Sequence, residues 1–411
     1  MKYNKWTVAL AAVGVVSLAS AAKAEEKASP VMTALSSTTI SGYVDTSMEW
    51  NPGTGNANLP PYKFGGAGKA DGFNLDVVQL RIEKPLDEGD WAAGYRADFW
   101  FGPDANTLGT TSNLGGAASD FAIRQAYVAL RVPVGKGLDL KVGVFDSIVG
   151  YESIEAGNNP NFTRSYGHSI EPQTDTGLLA SYRFCDVFSA SVGVADTWNS
   201  TINDRAFAPV VNPNETGAAE SYKAYMGSVA LTAPDSWGFL SGSTLYAGAV
   251  NGFDDLKFVG THAITSPVTV SSYYVGATVA TPVTGLRMGA SWDYLDAHQG
   301  GDVYGMSVAG YLSYQATEKL SFHARAEYFK DKHGVLFSNL AAVPPGGVNE
   351  AEVLALTGTI QYDLWKNVIS RLEVRWDHSL HDTALFGGDA LGSAPTVDNA
   401  VVIAANIIYK F

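Results

Sequence analysis

Leu320-Ser321-Phe322-His323-Ala324-Arg325-Ala326-Glu327-Tyr328 alternates without a break. Leu320, Phe322, Ala324, Ala326 and Tyr328 share one face, and Ser321, His323, Arg325 and Glu327 share the other. A helix would scatter both sets around its axis, whereas a strand sends every second side chain to the same side. The stretch is therefore a strand with one apolar and one charged face. The same pattern recurs outward from it. Leu372, Val374 and Trp376 alternate with Arg371, Glu373, Arg375 and Asp377. Leu286, Met288, Ala290, Trp292 and Tyr294 oppose Arg287, Gly289, Ser291 and Asp293. Near the start, Ile40, Gly42, Val44, Thr46, Met48 and Trp50 oppose Ser41, Tyr43, Asp45, Ser47 and Glu49.

Along the whole chain this reading gives about sixteen strands. They fall at 39–50, 74–84, 91–101, 121–132, 138–146, 177–184, 187–197 and 222–233, then at 243–250, 271–281, 286–296, 303–316, 320–330, 351–362, 367–378 and 399–411. The connections carry as much information. Asn51 to Phe73, Phe101 to Asp120, Ser147 to Thr176, Asp331 to Glu350 and Ser379 to Asp398 are long. Pro85 to Asp90, Pro133 to Gly137, Cys185-Asp186, Pro282 to Gly285, Thr317 to Lys319 and Asp363 to Lys366 are short. Soluble sandwiches and propellers have no reason to alternate in this way. A bacterial outer-membrane barrel does, with short periplasmic turns and long outer loops.

Composition agrees. Of 411 residues 17% are charged, against about a quarter in ordinary soluble domains. The 46% hydrophobic share excludes intrinsic disorder. A single Cys excludes an intramolecular disulfide scaffold, and a net charge of −14 has the wrong sign for a nucleic-acid binder. Met1 to Ala24 reads as a secretory signal peptide. Lys2 and Lys5 precede the uncharged run Trp6 to Ser20, and Ala22-Lys23-Ala24 gives a small-x-small cleavage pattern. That run is about 15 residues, short of the ~20 a spanning helix needs. Residues 25–37 then form a periplasmic N-terminal segment, and 38–411 the barrel.

In hydrocarbon every backbone donor and acceptor needs an internal partner, so the sheet must close and the last strand must meet the first. Val401, Ile403, Ala405, Ile407, Tyr409 and Phe411 alternate to an aromatic C-terminus, the usual ending of such barrels and the expected contact for barrel-assembly machinery. Trp50, Trp91, Trp100, Phe101, Tyr314, Tyr328, Tyr362, Trp365 and Tyr409 lie near strand ends, where aromatic girdles suit the headgroup layer of outer-membrane lipid. Both termini on the periplasmic side require an even count, which fourteen or eighteen strands would also satisfy.

Thr38-Thr39-Ile40-Ser41-Gly42-Tyr43-Val44-Asp45-Thr46-Ser47 resembles the opening strand of the OmpL-like putative beta-barrel porin family. A second segment is more specific. Val142-Gly143-Val144-Phe145 leads to Gly150-Tyr151-Glu152, then to Asn158-Asn159-Pro160-Asn161-Phe162-Thr163-Arg164-Ser165-Tyr166, and to Glu171-Pro172 and Thr176-Gly177. This order resembles the family's strand, G-Y-E turn, N-P…R-S-Y loop and E-P…T-G re-entry. Val144-Phe145-Asp146 departs from it, where a more basic or threonine-bearing strand end is expected. The resemblance implies a Gram-negative outer-membrane porin that passes small hydrophilic solutes. By analogy with other sixteen-stranded porins it implies a homotrimer, and an inward loop at 147–176.

Sixteen strands enclose more space than side chains fill, leaving an aqueous channel lined by the polar faces. Arg81, Arg96, Asp98, Arg131, Lys141, Arg183, Arg287, Asp293, Arg325, Glu327, Arg371, Glu373, Arg375 and Asp377 are the candidate wall charges. An infolded loop would add Tyr151, Glu152, Glu155, Arg164, His168, Glu171 and Asp175 at the constriction. Its acids outnumber its arginine, so a cation preference is expected. A solute-specific channel would use Tyr151, Phe162, Tyr166 and Trp198 as an aromatic slide. An adhesin barrel would need a domain-sized loop, which the chain lacks. An enzyme is not expected: nothing around Ser169 resembles a nucleophile elbow, although His168, Glu171 and Asp175 lie close in sequence. His378 and His381 on one strand end do not converge as a metal pair, and Asp254, Asp255 and Asp302 lack EF-hand spacing. No metal or cofactor is implied, and Cys185 sits in a short turn.

Overall fold

The computed structural model describes residues 37–411 apart from 54, 67, 109–119, 200, 201, 204, 207–220, 255–257, 260, 261, 264–267, 299–301, 338–349 and 391. The expected signal peptide, 1–24, and the segment up to residue 36 lie outside the described residues. Sixteen antiparallel strands close into one barrel, each paired with its neighbours in sequence. They are β1 Thr39–Trp50, β2 Gly72–Lys84, β3 Ala93–Phe101, β4 Phe121–Val132, β5 Leu138–Asp146, β6 Thr174–Arg183, β7 Phe188–Ala195 and β8 Ala224–Thr232. The second half comprises β9 Thr244–Asp254, β10 Val268–Ala280, β11 Leu286–His298, β12 Asp302–Gln315, β13 Leu320–Lys332, β14 Glu350–Trp365, β15 Val368–Ser379 and β16 Asn399–Lys410. A two-stranded turn of sheet, Phe258–Val259 with His262–Ala263, stands apart in the β9–β10 connection.

The seam pairs β1 with β16, from Tyr43 opposite Lys410 to Trp50 opposite Ile403. Gly42 and Phe411 extend it by exchanging two backbone hydrogen bonds of 3.0 Å. Gly42 is required there: a Cβ would collide with the Gln79 carbonyl and the Phe411 ring. Both ends of the sheet thus lie on the rim of short turns, and no barrel edge is left unpaired.

Exposure alternates with the sequence pattern. Leu354, Leu356, Ile360, Leu372, Val374 and Ile407 are exposed on the outer face, forming an apolar belt far larger than the patches soluble proteins tolerate. Of the girdle candidates, Trp50, Trp91, Phe101, Tyr314, Tyr362, Trp365 and Tyr409 are exposed as expected. Trp100 is a correction. It is 1% exposed and points inward, its Nε1 donating to Gln79 Oε1 at 2.7 Å. In a regular stretch of strand, adjacent residues point to opposite faces, and Phe101 takes the outer one.

The interior differs from the open channel expected of its width. Inner side chains Phe145, Leu179, Val250, Val270, Phe329 and Val353 pack with the loop residues Ile148, Val149, Ile170, Trp198, Phe337 and Phe386 into one buried apolar cluster. A second joins Tyr43, Val77, Trp100 and Ile408 to Ile154 and Ala156. The extra space of a sixteen-stranded barrel is taken up largely by its own long loops.

Candidate functional site

The segment between β5 and β6 lies against polar inner-wall side chains on opposite sides of the barrel. Two charged wall clusters hold it. In the first, register sets Arg81 of β2 opposite Asp98 of β3. Asp98 is fully buried among Arg81 Nε at 2.8 Å, Arg96 Nη2 at 2.7 Å and Arg124 Nη1 at 2.9 Å. Three guanidiniums around one carboxylate leave positive charge to be met, and Glu155 of the loop meets it. Its Oε1 bonds Arg81 and lies 3.2 Å from Arg96 and 3.3 Å from Arg124. Burial alone would raise the Glu155 carboxyl, but Arg81, Arg124 and Arg96 outweigh it and hold it at about 2.

The second cluster is built from the alternating charges of β13 and β15. Arg325 reaches Glu152 at 2.9 Å and the Thr163 carbonyl at 2.8 Å. Glu373 accepts from the Phe162 and Thr163 backbone N–H groups at 2.6 and 2.9 Å. Arg375 donates to the Arg164 carbonyl at 2.6 Å and pairs with Asp377 and Glu327. Arg371 donates to the carbonyls of Ala156 and Asn159 at 3.0 and 2.6 Å. A short helix, α1, Tyr166–Ile170, is capped by Ser165 and pinned by its Tyr166 hydroxyl, which donates to Asp377 at 2.8 Å. The wall charges thus serve mainly to satisfy the backbone of a non-periodic segment, which could not otherwise be buried.

His168 lies within α1 and Glu171 caps its end. His168 Nδ1 and Glu171 Oε2 are 3.4 Å apart, and Gly167 packs against the Asp293 carboxylate, leaving no room for a Cβ. Burial, then the neighbouring Asp293, pushes the Glu171 carboxyl well above the usual range, while burial and Arg164 push His168 well below its own. Both shifts favour the uncharged form of the group. Ser169 accepts from the Lys63 backbone N–H at 2.9 Å and donates to the Ser165 carbonyl, so it is not placed as a nucleophile.

Several sequence candidates are placed differently. Asp175 belongs to β6, paired with Phe145, because the strand begins at Thr174 rather than 177. Arg183 is the last residue of β6; its exposed side chain reaches Asp186 in the turn at 3.2 Å instead of facing the loop. Arg131 pairs with Asp139 at 2.6 Å, and Lys141 lies over the ring of Tyr127, which is opposite Arg96. Tyr151 stacks on Tyr311 at 4.1 Å and Tyr166 on Phe329 at 4.9 Å, while Trp198 donates to Ser272. Tyr166 and Trp198 share one buried apolar cluster against which Tyr151 packs, while Phe162 packs against a separate one of Tyr62, Val402 and Ala404. His378 bonds Asn399 and His381 bonds Glu352; Asp255 lies outside the described residues. Cys185 is an exposed free thiol.

Arg124 and Asp146, joined at 2.5 Å, were not among the sequence candidates. A register shift between Asp98 and Phe99 buries both Arg124 and Gln125. Two adjacent polar residues interrupting a period of two are the signal of such a bulge. Lys69, held between Asp76 at 2.6 Å and Asp104 at 2.5 Å, was also missed.

A closed sixteen-stranded antiparallel barrel with an apolar belt and a charged loop in its lumen has the architecture of an outer-membrane porin. The chain belongs to the family described as putative beta-barrel porin-2, OmpL-like, which matches residues 37–411. Its fold is similar to that of OmpT, an outer membrane protein of Vibrio cholerae, with a TM-score of 0.56 and 10% identity over 93% of this chain and 100% of that one. An anion-selective porin from Comamonas acidovorans gives 0.57 and 13% over 91% and 99%, and OprB of Pseudomonas putida gives 0.57 and 13% over 91% and 94%. At such identities the likeness is one of fold. No curated protein matches in sequence.

Proposed function

We propose that the protein is a narrow outer-membrane channel that passes ions and small hydrophilic solutes by passive diffusion, without catalysis. It is exported through a cleaved Met1 to Ala24 signal and inserted with its short turns toward the periplasm. The observation that supports this reading is the loop held between the arginine trio of β2–β4 and the charged ladder of β13 and β15. Such a loop narrows a lumen while keeping charged groups at its edge. The breadth of its contacts favours a narrow channel over a broad sieve.

The selectivity expected from counting loop acids is revised in this reading. Glu152 and Glu155 are each held by arginine, so they are not free to concentrate cations. Lys141 and Arg287 on the wall are only half-buried. The proposal is therefore weak selectivity, tipped toward anions. Reversal potentials of the refolded mature protein in a salt gradient test it: a small anion-side potential supports the reading, and a strong cation-side potential contradicts it. A homotrimer is the proposed assembly, and a cross-linking ladder that stops at monomer would refute that part.

A further inference from the structure

A cavity of about 60 Å³ lies between the loop and the wall of β10–β12, close to the short-turn rim. Register builds its floor: Thr278 is opposite Gly289, Gly289 is opposite Tyr311, and Arg287 is opposite Ser313. Gly289 has no side chain, and the Tyr151 hydroxyl enters the space a Cβ would occupy. The loop supplies the roof with Tyr151, Glu152 and Asn158.

Charge in this cavity is one-sided. Glu152 is neutralised by Arg325 at 2.9 Å and accepts from the Ser165 N–H at 2.8 Å. Arg287 has no such counterion within the lining. Its Nη2 donates to the Gly242 carbonyl at 3.2 Å, which fixes the guanidinium against the β8–β9 turn, and its Nε is buried without a hydrogen-bond partner. The guanidinium's remaining N–H donors favour an anionic acceptor. Beside it, the hydroxyls of Thr278 and Ser313 can each take a further hydrogen bond.

Size narrows the ligand. At about 10–15 Å³ of this space per water, the cavity holds about four to six water-sized groups. We propose that the cavity is a subsite for a short hydroxycarboxylate of two or three carbons, its carboxylate on Arg287 and its hydroxyl toward Ser313 and Thr278. The assignment deepens the channel reading, because it names a solute class for the same lumen. Binding itself requires only the folded barrel.

The test is calorimetric titration of the detergent-refolded mature barrel with lactate, against propionate, which lacks the hydroxyl, and glycerol, which lacks the carboxylate. Lactate is expected to bind saturably and more tightly than either comparator. Arg287→Ala should weaken it by about tenfold or more, with partial recovery in Arg287→Lys, and heat-modifiable mobility on a gel confirms that each variant is folded. No saturable lactate binding by the folded wild type, or undiminished binding by Arg287→Ala, overturns the subsite. Equal binding of propionate overturns the hydroxylated ligand. Conductance is recorded on the same preparations: lactate binding by a silent barrel supports the subsite while refuting the channel, and conduction without lactate binding does the reverse.

Discussion

Glu155 is the residue on which the loop's position turns. Removing one partner from a largely covered ion cluster costs about 3–5 kcal/mol, because the remaining charges stay desolvated. Glu155→Gln should therefore lower barrel stability by that order and expose the segment around it to protease, read by urea unfolding and limited trypsin digestion. Its pH behaviour follows from sign. A carboxylate held at about 2, below an ordinary value near 4.5, contributes its full stabilisation above about 4.5 and loses it as pH falls through about 2. Trypsin resistance of the loop should stay flat from pH 8 to 5. Loss of resistance between pH 7 and 6 would contradict this assignment. The facing of Arg325, Glu327, Arg371, Glu373, Arg375 and Asp377 was legible in the period of two. Their partners were not, because alternation says which side a residue faces and nothing about which loop backbone it will satisfy.

At the scale of elements, each of the sixteen predicted strands corresponds to an observed one, with ends displaced by a few residues. Strand interiors are set by side-chain alternation, whereas ends are set by where the partner strand stops. Asp175 shows this: nothing in Thr174-Asp175-Thr176 marks a strand start, but β5 continues to Asp146 and supplies the pairing. Arg124 shows the other failure, since a bulge alters parity midway along β4 and only the adjacent polar pair betrays it. The seam is the most sensitive element. Gly42→Val would drive a side chain into the Gln79 carbonyl and the Phe411 ring, so refolded variant should lose its heat-modifiable band. A band of wild-type mobility and yield would show that the seam tolerates a side chain there.

For the molecule as a whole, the belt and the lumen obey different rules. Leu356 is 52% exposed near the middle of β14, where the outer face meets hydrocarbon. Leu356→Arg should cost about 2–4 kcal/mol in a bilayer, measured by denaturant titration in liposomes; an unchanged midpoint would place that surface outside the membrane. Strand number, closure and belt could be read from the sequence because all follow from one period. The filling of the lumen could not. It depends on loops without periodicity, whose apolar residues Ile148, Val149, Ile170 and Phe386 pack against inner-wall side chains that no period in the loop announces.

The central claim is that the segment held by Glu155, Arg325 and Arg375 narrows a conducting lumen. Single-channel conductance of the refolded mature protein in a planar bilayer, beside that of Glu155→Gln, tests it most directly. The account predicts small, steady openings in the wild type and openings several-fold larger and more anion-preferring in the variant. Large conductance that is identical in both proteins would contradict it.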